Sequence, residues 1–138
     1  MPNKTSIAAR ACRIVQLYAR LNETDRNGYG YCRSCGKMVH FSSSDGGHFQ
    51  PKGRSYNAAC VDPRNVHLSC KFCNGFLGGN PAGYAEWMVS EYGVGILEEM
   101  FLLSKKTSNK DDMIRVIDEY RAKNRELAKT KMFEVRIK

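Results

Sequence analysis

Long apolar runs are missing from this sequence. No stretch approaches the roughly 20 residues of a membrane-spanning helix, and Met1–Arg20 has neither the apolar core nor the cleavage site of a secretory signal. A membrane partner is therefore not expected, and the cytoplasm is the expected compartment. Acidic residues are scarce beside basic ones, 14 against 22, which gives a formal charge of +8. A chain of that balance neutralises phosphates and releases their counterions, so nucleic acid leads the possible partners. Low-complexity tracts and repeats of supersecondary length are absent too, which sets aside solenoids and linker-like chains.

What is present falls into three stretches: 1–28, 29–80 and 81–138, expected to behave as one unit of 138 residues. Ile7, Ala8, Ala11, Ile14, Val15, Tyr18 and Leu21 recur at three- and four-residue steps and predict a helix over about Ser6–Leu21. Lys37–Phe41 reads as a short strand, and Ser42–Asn65, rich in Ser, Gly, Asp, Asn and Pro, as hairpin and loop with little core of its own. A short helix is expected over Ser69–Phe76, followed by helices over Pro81–Tyr92, Ile96–Leu103 and Lys110–Met132. The last carries Met113, Val116, Ile117, Tyr120 and Leu127 on one stripe, suited to a subunit contact or to the first helix. Phe133–Lys138 has the alternation of a terminal strand.

Six cysteines in such a compartment read as metal ligands and free thiols before disulfides. Cys32-Arg-Ser-Cys35 and Cys70-Lys-Phe-Cys73 are two Cys-x-x-Cys pairs, the spacing that converges four thiolates on one tetrahedral Zn²⁺. A redox role needs one pair in a thioredoxin-like βαβ setting, which the chain lacks. Cys12 and Cys60 stand outside both pairs and read as ordinary partly buried thiols. The insert between the pairs holds all three histidines.

Within and beside that insert lie Asp45-Gly46-Gly47-His48-Phe49, then Asn65 before the second pair, and Asn74 directly after Cys73. A zinc-tied second pair would fix Asn74, and a hairpin carrying His48 could fold against it. A histidine beside oxygen donors suits water activation next to a hard divalent ion. Each residue also has a plainer reading: His48 as a loop histidine bonded to backbone, Asn65 and Asn74 as turn caps, and His40 and His67 as packing residues.

The run CRSCG…DGGHF…NVHLSCKFCN…GGN resembles the phage NinG/Rap family of recombination endonucleases, which belong to the HNH, or ββα-metal, class. The helix leading into GYGYC, the YAEWM…YG segment and the charged C-terminal helix follow the same order, so the resemblance covers most of the chain. It implies an α+β fold: a small zinc-stapled ββα-metal core with N- and C-terminal helices. It also implies cutting of branched DNA such as Holliday junctions and flaps, with Mg²⁺ or Mn²⁺ as the catalytic ion besides the structural Zn²⁺. His48 would be the general base, Asn65 would hold its imidazole, and Asn74 would bind the catalytic metal. Asp45 is the carboxylate to join Asn74, with Asn80 and Glu86 as alternates. Gly47 departs from the many HNH sites that place a ligand immediately before the base. Lys52, Arg54, Arg64 and Lys71 surround this site and are candidates for phosphate contacts. Partners are expected to be branched DNA, phage or host recombination proteins, and a second copy of the chain, because symmetric junction cutting needs two sites about a two-fold axis. The plainer alternative is a zinc module that binds DNA or a recombination protein without cutting.

Overall fold

The computed structural model describes residues 4–53 and 56–138; Arg54 lies outside the described residues. Helix α1 (Lys4–Asn22) is followed by an antiparallel pair, β1 (Tyr29–Tyr31) and β2 (Met38–His40). A second antiparallel pair joins β3 (Ser44–His48) to β4 (Val66–Cys70), and helices α2 (Pro81–Tyr92), α3 (Gly95–Ser104) and α4 (Lys110–Lys129) complete the chain. The architecture is α+β, with small antiparallel sheets between helices.

Helix α1 is the pillar of the fold. It packs against α4, against both strands of the second pair, and against a one-turn helix at Ala58–Val61. Its sequence predicts one apolar face, yet Cys12, Leu17 and Ala19 are buried as well as the predicted stripe, because separate neighbours cover separate sides. Ile7, Ala8, Ala11 and Ile14 meet Met113 and Ile117 of α4 and Cys60 and Val61 of the Ala58–Val61 turn in one apolar cluster. Val15 and Ala19 meet Val66 of β4. Tyr18 meets Tyr120 edge-on at 4.8 Å, and Asn124 Nδ2 donates to the carbonyl of Ile14 at 3.1 Å.

The α4 stripe is therefore covered by α1 of the same chain. Its principal apolar residues, Met113 and Ile117, are not available as the subunit contact that the sequence suggested.

Two element boundaries also differ from the sequence reading. The segment Ser69–Phe76 is not one helix: β4 runs to Cys70, and a short π-helical turn follows at Phe72–Phe76. Val66–Cys70 alternates apolar and polar residues as a strand does, and all five are buried. Phe133–Lys138 forms no strand, although it keeps its alternation in exposure. Phe133 packs on His40 and Phe41 with ring centroids 5.6 and 5.2 Å away. Side-chain packing, without a ladder, holds that tail.

The Ser42–Asn65 segment contributes more core than its composition suggested, since Ala59, Cys60 and Val61 are buried against α1. No described helix is long and apolar enough to cross a membrane.

Candidate metal knuckle and polar site

The first cysteine pair sits on the turn between β1 and β2. Cys32 N–H donates to the Lys37 carbonyl at 2.8 Å, and Gly36, at φ +77°, donates back to the Cys32 carbonyl at 2.8 Å. Only glycine takes that left-handed conformation without strain, which is how the turn closes. Arg33 N–H reaches the Leu68 carbonyl at 2.9 Å and ties this turn to β4, where the second pair begins. The four sulfurs of Cys32, Cys35, Cys70 and Cys73 lie within 4.8 Å of one another. Four converging thiols, none in a disulfide, form a donor set compatible with structural zinc.

The surroundings favour thiolate at one corner. Burial raises the Cys32 thiol, but N–H groups of Cys70, Cys35 and Ser34 outweigh it and bring it down to about 7. Cys73 is pushed up to about 12, by burial first and then by its neighbouring sulfurs, against the opposing hydrogen bond from Asn80. Asn80, in the left-handed region at φ 49°, points Nδ2 at Cys73 Sγ at 3.5 Å and at the Ser34 carbonyl at 3.4 Å. It braces the knuckle, and Glu86 is an exposed residue of α2.

Asp45 and Asn74 are brought together. Asn74 Nδ2 donates to Asp45 Oδ2 at 3.0 Å, and Lys71 Nζ pairs with Asp45 Oδ1 at 2.6 Å. A Cβ on Gly47 would stand 3.0 Å from Ser69 Cβ and 3.3 Å from Asn74 Oδ1, so the glycine that departs from the HNH pattern lets β3 pack closely against both. Gly46 is needed on the other face, where a Cβ would come within 2.7 Å of the Gln16 backbone; α1 could not lie so close to β3 otherwise. Next to the Asp45–Asn74 pair is a polar cavity of about 210 Å³, to which Gln16, Arg20 and Lys138 contribute. Burial lowers the Arg20 pKa, and nearby Asp45 opposes that shift. Sequence reading missed Gln16, Arg20 and Lys138, because no local motif links a helix turn or a chain end to a strand far away in sequence.

His48 is placed differently from the sequence expectation. Side chains alternate along β3, so Gly46 and His48 face α1 while Asp45 and Gly47 face Asn74. The ring does not fold against Asn74. Its Nε2 lies 3.1 Å from the Cys60 carbonyl and 3.3 Å from Cys12 Sγ. A carbonyl can only accept, so Nε2 carries a hydrogen.

Asn65 is fully buried and acts one step away from the imidazole. Its Oδ1 accepts from Gln50 N–H at 2.8 Å, and its Nδ2 donates to the Gln50 carbonyl at 3.0 Å. It clamps the backbone two residues beyond His48 and so fixes where β3 ends. Asn65→Ala would remove both bonds to the half-buried Gln50 backbone, each worth about 0.5–1.5 kcal/mol. Urea unfolding at constant zinc should show a loss of roughly 1–3 kcal/mol, and a change under about 0.5 kcal/mol would mean the clamp is dispensable.

Of the other histidines, His67 is bonded to Glu23 at 3.0 Å and to the Arg64 carbonyl at 2.9 Å, and His40 to the Asn27 carbonyl at 2.9 Å. Both serve packing. Among the candidate phosphate contacts, Lys52 is exposed with Nζ 5.4 Å from the Tyr56 ring centre. Arg64 is held by Asp62 at 2.8 Å and Glu99 at 2.6 Å, and these carboxylates, Asp62 first, raise its pKa. It bridges elements, with its side chain still partly exposed.

Fold and site together define a class: a small, basic α+β protein built on a four-cysteine knuckle that can hold zinc. The family model described as bacteriophage lambda NinG protein matches residues 3–131, and the chain belongs to that family. Membership carries a role related to phage recombination. Nothing among the curated proteins or among the solved structures matches the chain.

Proposed function

We propose that this chain is a metal-dependent DNA endonuclease of the HNH type that cuts branched recombination intermediates such as Holliday junctions and flaps. The observation that carries the reading is the fixed ring of His48. With Nε2–H on the Cys60 carbonyl, Nδ1 is a free base able to take a proton from water. Asp45 and Asn74 supply the oxygen donors for Mg²⁺ or Mn²⁺, beside the polar cavity that they line. One or two protein oxygens plus waters is the usual complement for Mg²⁺. When bound, such an ion supplies charge stabilisation at the phosphate and leaving oxygen.

Asp45 and His48 stand three residues apart on one strand, a span of roughly 10 Å. Base and metal pair therefore lie on alternate faces within reach of one stretch of backbone. In this reading Arg20, Lys52 and Lys71 contact the phosphates around the cut. Two copies act on one junction, phage or host recombination proteins deliver them, and the host cytoplasm is the setting.

A second reading, a zinc module that binds DNA or a recombination protein without cutting, is favoured by two observations. Lys71 already pairs with Asp45, and His48 faces away from Asn74. The test incubates the zinc-loaded protein with a labelled four-way junction, a flap and a linear duplex, each with Mg²⁺, with Mn²⁺ and with EDTA. Metal-dependent cuts in the branched substrates, with two copies per junction by sedimentation, are the expected result. Binding to all three without any cut hands the case to the module.

A further inference from the structure

We infer that Cys12, His48 and Cys60 form a second metal site, separate from the knuckle and selective for a thiophilic ion such as Zn²⁺. Cys12 Sγ, His48 Nε2 and Cys60 Sγ lie within 4.8 Å of one another. The ligand atoms of a tetrahedral zinc ion, bound at about 2.0–2.3 Å, sit roughly 3.5–3.8 Å apart, so a contraction of about 1 Å or less completes the set. Cys12 Sγ and His48 Nε2 are already 3.3 Å apart. Two sulfurs and one imidazole exclude Mg²⁺, which demands oxygen, and leave a fourth position for water.

The three residues come from three elements that the core locks together. Cys12 is on α1, His48 ends β3, and Cys60 is on the Ala58–Val61 turn. Both cysteines are buried in the same apolar cluster, at 2% and 0% exposure, while His48 is half-buried and gives an ion its way in. An ion taken up by the two cysteines displaces their protons on binding.

Occupation has a consequence for the ring. An ion can take Nε2 only if that nitrogen gives up its hydrogen, and the ring's remaining proton must then sit on Nδ1. A base that works through Nδ1 is silenced. This consequence rests on the endonuclease reading; the metal site itself does not.

Titration of the full chain with Co²⁺, then displacement by Zn²⁺, reads the site by stoichiometry and by its thiolate–cobalt absorption. Parent protein should bind a second equivalent after the knuckle fills. Cys12→Ala and His48→Ala should each weaken the second equivalent by at least roughly 10–100-fold, the loss seen when even an outer-shell partner is removed, while keeping the first. Should Cys12→Ala fail to fold and lose the first equivalent as well, His48→Ala carries the test alone. Saturation of the parent at the knuckle, or a second equivalent that persists in the Cys12→Ala/His48→Ala double variant, overturns the site. In the cutting assay at fixed Mg²⁺, added Zn²⁺ should inhibit the parent and spare Cys12→Ala. Undiminished cutting with the second equivalent bound would break the link to His48. A parent that binds the second equivalent and cuts nothing would leave the metal site standing and sink the endonuclease reading.

Discussion

Cys73→Ser should lose the knuckle's zinc and open the turns that carry it, at 32–36 and 70–76, while most helical signal survives. The asymmetry follows from which contacts each region owns. The apolar cluster around the knuckle consists of Cys32, Val39, Leu68, Cys70 and Cys73, so three of its five members are proposed ligands. Without the ion, Val39 and Leu68 remain, and two aliphatic side chains cannot offset the ordering of so much loop. Structural zinc supplies about 10–16 kcal/mol of apparent binding energy in small finger domains, and that binding is folding energy. The α1–α4 core has an independent set in Ile7, Ile14, Met113 and Ile117. Elemental analysis, circular dichroism and limited proteolysis should therefore disagree in a defined way: no zinc, near-parent helix content, and new cleavage between β1 and α2. Parent-like zinc content together with an unchanged melting curve would remove the knuckle from the account of stability.

Helix α2 was legible to the residue, because Pro81 fits a first-turn position and Gly93, at φ +93°, fits the exit. The cysteine knuckle was legible as well, since two Cys-x-x-Cys turns announce themselves by spacing alone. The β4 boundary was not, because the Cys-x-x-Cys turn that begins at Cys70 drew Ser69 and Cys70 into the expected helix, although Val66–Cys70 alternates as a strand does. The tail Phe133–Lys138 taught the converse: alternation in sequence gave the right sides, yet a strand also needs a partner edge, and none of the described strands pairs with it.

At the polar site, the pairing of Asp45 with Asn74 came from resemblance and not from spacing. The grouping of Cys12 and Cys60 around His48 was out of reach. Those cysteines lie 36 and 12 residues from it, and only the docking of α1 onto β3 through Gly46 brings them in. Buried thiols are among the commonest of core residues, so their types carried no signal.

His48→Ala separates an enzyme from a binding module that shares its knuckle and charge. The substitution removes Nδ1, the proposed base, without touching a knuckle sulfur or any of the cations proposed to meet phosphate. His48 is half-buried, and its bonds are to a carbonyl and a sulfur at the edge of the core, so the fold, the first zinc equivalent and DNA affinity should stay near those of the parent. Cutting should fall by about 10²–10⁴-fold, the usual contribution of a positioned general base. Asn74→Ala should fail by another route. It removes an oxygen proposed to hold the divalent ion, so raising Mg²⁺ or Mn²⁺ should restore part of its activity and none of that of His48→Ala. Measured on the four-way junction with metal varied, parent-like rates in His48→Ala would discard the assignment of the base. Loss in both variants with an identical metal response would place His48 with the ion, as a ligand, instead of with the attacking water.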